Sequence, residues 1–113
     1  MKDISFTRGD TFAFKIKMNS EKIITKEDID TLFVTCRETA SDLSPVLFQK
    51  TLNDVVIENN YIHIQFNPED TQHLPYGDYC FDVELTIGTT KKTKFQTFKL
   101  DKETTIAKKD GDA

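Results

Sequence analysis

The chain has 113 residues, 37% of them hydrophobic and 30% charged, which is the size of one domain and outside the disordered range of composition. Such a length hides roughly two-thirds of the unfolded surface, enough for one core without metal or disulfide support. The net charge of −4 and a pI near 5.1 lack the cationic field that a phosphate backbone requires, so nucleic acid is not an expected partner.

The opening Met1-Lys2-Asp3-Ile4-Ser5-Phe6-Thr7-Arg8 has no apolar segment, and no apolar run is long enough to span a bilayer. The expected compartment is therefore the cytoplasm in which the chain is made, with no secretory signal and no membrane partner. Nine residues are Phe and none is Trp. The core should rest on Phe with Ile, Leu and Val.

Period-two alternation dominates from there on. Phe12, Phe14, Ile16 and Met18 share one side, opposite Ala13, Lys15 and Lys17, after the opening Arg8-Gly9-Asp10-Thr11. Thr25 precedes Lys26-Glu27-Asp28 as the cap of a single helical turn. Leu32, Val34 and Cys36 define a second strand, then residues 38–44 form a polar loop and residues 46–52 a third strand. Val55-Val56-Ile57 is short, and Asn59-Asn60 turns the chain into the alternation Ile62, Ile64, Phe66. Pro68 starts another helical turn.

The longest strand sets Tyr79, Phe81, Val83, Leu85 and Ile87 inward and Cys80, Asp82, Glu84 and Thr86 outward. Gly88-Thr89-Thr90 turns into a last strand over residues 91–100, where Phe95 opposes the parity of Phe98 and Leu100. Residues 1–100 thus read as one domain and residues 101–113 as a polar tail. About seven strands at this spacing specify an antiparallel sandwich or barrel.

The segment before the longest strand favours an immunoglobulin-like sandwich. Asp70, Leu74, Gly77 and Tyr79 resemble the corner in which a buried Tyr hydroxyl bonds back to backbone a few residues upstream. Tyr79 shares the parity of Phe81, so its hydroxyl needs a partner, and residues 70–74 lie within reach. Cys36 points inward and Cys80 outward. Opposite faces cannot bridge, so a core thiol and a reactive surface thiol are expected.

Combinations that carry chemistry are missing from the sequence. His63 and His73 have no His or Cys at metal-ligand offsets, no nucleophile elbow accompanies the serines, and four scattered glycines make no phosphate loop. No enzyme, metal, cofactor or small-molecule substrate is expected. Arg8-Gly9-Asp10 matches an integrin-binding tripeptide, but Gly9 is better read as turn freedom, with Asp10 bonding locally. Asp78, Asp82 and Glu84 suit a charged sheet face paired with Lys92 or Lys94, and Lys91, Lys92, Lys94 and Lys99 suit guards of an edge strand. Phe33, Tyr61, Tyr76 and Phe95 lie off the core parity. They either close the sandwich ends or, with Phe33, Tyr76 and Phe95 foremost, form a partner interface.

Over residues 4–100 the chain resembles small structural proteins of tailed phages and prophages of Gram-positive bacteria. The resemblance rests on Arg8-Gly9-Asp10-Thr11 followed by alternating Phe and Ile, on Leu47-Phe48-Gln49-Lys50-Thr51-Leu52, and on the run from Asn67 to Leu85. The opening is similar to the N-terminal module of phage baseplate upper proteins. This implies a tail or baseplate component that contacts copies of itself or other virion proteins. The alternative from another class is a sandwich module that binds carbohydrate or a host surface.

Overall fold

The alternating stretches become strands in the computed structural model, which describes residues 4–39, 41 and 43–101. In chain order these are β1 (Ile4–Thr7), β2 (Phe12–Lys17), β3 (Thr31–Arg37), β4 (Val46–Thr51), β5 (Val56–Glu58), β6 (Tyr61–Phe66), β7 (Gly77–Ile87) and β8 (Thr90–Asp101). The first sheet runs β1-β8-β7-β3-β4 and the second β2-β6-β5. Strands β2, β6 and β5 take the places of B, E and D of an immunoglobulin sandwich, and β3, β7 and β8 those of C, F and G. The expected all-β sandwich is the observed one. No described helix is long and apolar enough to cross a membrane. Of the tail expected over residues 101–113, Asp101 belongs to β8, where it pairs with Thr7, and the rest lies outside the described residues.

Eight strands replace the seven expected. The extra one is β1, which pairs parallel with β8, Ile4 opposite Phe98 and Phe6 opposite Leu100. Its two apolar positions bury Phe6 and half-bury Ile4. The chain then changes sheets at Gly9, whose φ of 86° lies where a Cβ would be strained. The remaining neighbours pair antiparallel.

Register follows the apolar pattern, because a one-residue slip would expose every core side chain. Phe12, Phe14 and Ile16 face Phe66, Ile64 and Ile62 across β2 and β6. Between the sheets, Phe66 is fully buried, with the rings of Phe48, Phe14 and Phe81 set nearly edge-on to it at 5.0, 5.2 and 5.6 Å. Phe6 stacks on Phe12 at 3.9 Å and joins β1 to this cluster. Edge-to-face rings suit the aromatic quadrupole. A Phe-rich core without Trp fills itself this way.

Turn chemistry fixes the connections. Asn59 and Asn60 have φ of 53° and 62° and make the two-residue link between β5 and β6, which needs the left-handed region at both positions. Asn60 also accepts from Ile24 N–H at 2.7 Å and donates to the Lys22 carbonyl at 2.9 Å, tying down the loop after β2. The Asp28 carboxylate accepts from the Thr25 N–H at 2.9 Å, and that hydrogen bond holds its pKa below the ordinary value. Asp54 and Asp70 repeat the device toward the N–H groups of Thr51 and Asn67. Both expected helical turns are present, at Lys26–Asp28 and Pro68–Thr71, and a further one forms at Leu52–Asp54.

Candidate functional site

The corner before β7 forms as expected, with one change of partner. Tyr79 is buried and its hydroxyl donates to the Pro75 carbonyl at 2.6 Å, just beyond the residues anticipated. Burial pushes its pKa up. Leu74 is buried in the core, and Asp70 forms an ion pair with Lys50 at 2.6 Å. Gly77 has φ 147°, a value L side chains seldom adopt, where β7 begins.

Arg8 is the residue that sequence reasoning missed. Its guanidinium donates to the Leu74 carbonyl at 3.2 Å and to the Tyr76 hydroxyl at 2.8 Å, and lies 4.1 Å from the centre of the Tyr76 ring. Gly9 N–H adds a bond to Thr71 Oγ1 at 3.4 Å, and Asp10 N–H bonds locally to Thr7 O. The tripeptide therefore clamps the sheet-changing turn onto the corner. Arg8→Ala should cost about 2 kcal/mol in urea unfolding, the usual scale for charge-assisted bonds. Arg8→Lys should restore little, because one ammonium cannot fork to both oxygens and stack. Full recovery with Lys would show that the fork contributes nothing.

Both cysteines are free. Cys36 is inward and fully buried, as expected, but Cys80 is also buried, at 4% exposure, which corrects the reading of it as a surface thiol. Parity put Cys80 on the outer face correctly. Its cross-strand neighbour Arg37 folds toward Asp82 and the Ser44 carbonyl, both at 3.2 Å, and shields the shorter thiol. Burial pushes Cys36 up to about 12 and raises Cys80 as well. Because the thiolate is the nucleophile, neither should react with a disulfide reagent at about pH 8 until the chain unfolds. Rapid native labelling of one thiol would refute the shielding of Cys80. With a raised folded-state pKa, the stability from the neutral Cys36 thiol is complete below its ordinary 9.0 and is lost as pH rises toward about 12.

The outer face of the first sheet is charged, as expected, but its pairs differ. Asp82 pairs with Arg37 at 3.2 Å and Glu84 with Lys91 at 3.3 Å. Lys92 and Lys94 stand opposite Leu85 and Val83, on the inner face, so they are not the partners anticipated. The aromatic residues off the core parity do not form one patch. Phe33 is half-buried opposite Glu84, and Phe95 is exposed opposite Asp82, with β7 between them. Tyr76 lies at the corner end, exposed but engaged by Arg8.

The other end of the molecule is open. Among the described residues, the β7–β8 hairpin runs beyond β1, which pairs with Phe98 to Asp101 of β8. Between the hairpin and the second sheet lies a groove of about 850 Å³, with Ile16, Met18 and Ile62 on one wall and Val83, Leu85 and Ile87 on the other. Lys17, Lys22, Lys92 and Lys94 stand around it.

A second, smaller hollow of about 540 Å³ lies against β2 and β6, beside Lys15, His63 and Gln65. Lys15 Nζ sits 4.4 Å from the centre of the Tyr61 ring, and His63 is 6.3 Å from that ring. His73 is exposed in the corner turn. Among the described residues, no three His, Cys, Asp or Glu side chains converge as metal ligands.

No family model matches the chain, and no curated protein matches it. Among solved structures it is similar to the endo-beta-1,4-mannanase from Thermotoga petrophila, with TM-score 0.55 and 13% identity. The match covers 90% of this chain and 18% of the mannanase chain. The likeness is one of fold.

Proposed function

We propose that this chain is a non-enzymatic structural or adaptor component of a phage or prophage particle, in the tail or baseplate, acting through contacts with other proteins. The observation that supports this best is the projecting β7–β8 hairpin, which combines Phe95, 45% exposed on one face, with the apolar groove on the other. Exposed apolar surface rimmed by charge is characteristic of protein contact sites. The particle assignment rests on the resemblance along residues 4–100. The test is light scattering of the full chain, alone and mixed with tail proteins encoded beside it, with Phe95→Asp as the disrupting variant. A complex that Phe95→Asp weakens is expected. A chain that stays monomeric with every such protein would overturn the reading.

The Tyr61, Lys15 and His63 cluster beside the second hollow favours one other reading, a carbohydrate-binding module, since a half-buried ring flanked by polar groups offers a sugar both apolar and polar contacts. The fold shared with part of a mannanase makes β-mannan the polysaccharide to try first. Retardation of the chain in a mannan-containing gel, abolished by Tyr61→Ala, would support it, and unchanged mobility would end it.

A further inference from the structure

One hydrogen bond fixes which way the backbone of β8 faces. The Asp101 carbonyl accepts from Arg8 N–H at 3.0 Å, on the side of β1. Main-chain groups of alternate residues face the same neighbour along a strand, so Lys91, Thr93 and Phe95 turn theirs to that side too. The described part of β1 pairs with β8 from Phe98 onward, and no other described strand lies beside Lys91, Thr93 and Phe95. Among the described residues, nothing pairs with the donors and acceptors these three present, the template for strand addition.

The surroundings of this ladder say what would fit it. Lys91, Lys92 and Lys94 are all exposed on the hairpin, Lys17 and Lys22 stand across the groove, and Asp28 is the one carboxylate among its described lining residues. This local cationic cluster sits on a chain of net charge −4. A second copy docking edge to edge would set lysines against lysines, which is unfavourable across strands. The charges that keep copies apart select an acidic strand.

We propose that the free edge of β8 takes up an extended segment of a partner protein, acidic and apolar residues alternating, as a further strand of the first sheet. This rests on the protein-contact reading above and names the chemistry of the partner. The carboxylates of the segment project to the inner face, where they meet the ammonium groups of Lys92 and Lys94 at the mouth of the groove, and its apolar side chains stand on the outer face beside Phe95.

The test uses the full nitrogen-15-labelled chain and a capped peptide of about eight alternating Val and Glu residues, enough to span the edge at about 3.3 Å per residue. A Val–Lys peptide is the charge control and dodecanoate the acyl-chain control. The amides of Lys91, Thr93 and Phe95 should shift and exchange more slowly with the acidic peptide only. Lys92→Glu with Lys94→Glu should invert the preference. Thr93→Pro removes one outward N–H while leaving the ladder to β7 intact, and should weaken binding about tenfold. If that variant misfolds, the charge inversion carries the test.

The proposal is overturned if these amides are already protected in the free chain, if neither peptide moves them, or if dodecanoate alone fills the groove. It is also overturned if a complex with tail proteins forms and survives both Thr93→Pro and the double lysine reversal, which leaves the protein-contact reading standing. Absence of any such complex counts against that reading instead, and the peptide result still decides the edge.

Discussion

Phe66→Ala should destabilise the domain by about 3–5 kcal/mol, the range for truncating a large buried ring and leaving a cavity. Phe66 has no exposed surface, and its ring meets those of Phe14, Phe48 and Phe81 from three different strands. Collapse around the gap would need those strands to move together, and close-packed interiors resist that. A small domain holds only about 5–15 kcal/mol in all, so much of the variant should be unfolded at mild denaturant concentrations. Phe95→Ala, on the exposed face of β8, should stay within about 0.5 kcal/mol. Equal shifts in the two denaturation midpoints would mean that the Phe66 cluster is not the core.

Tyr79→Phe is the second test, at about 1–2 kcal/mol. The substitution removes the hydroxyl that donates to the Pro75 carbonyl at 2.6 Å and keeps the ring, stacked on Phe98 at 5.7 Å. Pro75 is exposed, so water can partly replace the lost donor, which places the cost toward the low end. Tyr61→Phe is the matched control, because its ring packs under Lys15 and a phenyl ring can do the same. If both variants unfold at the same denaturant concentration, the corner hydrogen bond contributes nothing to stability.

Legibility of the sequence tracked the length of each alternation. The runs through Phe12 to Met18, Ile62 to Phe66 and Tyr79 to Ile87 were readable because each buries one face of a strand, and their parity survives in the register. The conflict of Phe95 with Phe98 also resolves by parity, one ring outward and the other buried. Ile4-Ser5-Phe6-Thr7 was too short to read, and its partner strand lies at the far end of the sequence. Cys80 was misjudged because parity reports direction, whereas exposure depends on the length of the neighbours, here Arg37. Arg8 and the open edge of β8 are long-range facts. No local pattern in Arg8-Gly9-Asp10 indicates Leu74 or Tyr76, and nothing in the lysine-rich strand says that β1 will pair with it.

The parallel pairing of β1 with β8 also sets an order of events during synthesis. The first described strand of the domain is held by the last: Phe6 stands opposite Leu100, and Arg8 N–H bonds to the Asp101 carbonyl. Until translation reaches that point, Phe6 has no strand beside it and the clamp at Arg8 lacks its bond to Asp101. Contacts so far apart in sequence slow folding, and a nascent chain stalled within β7 would leave the aromatic cluster open to other chains. A domain closed by its two ends is safe only when finished.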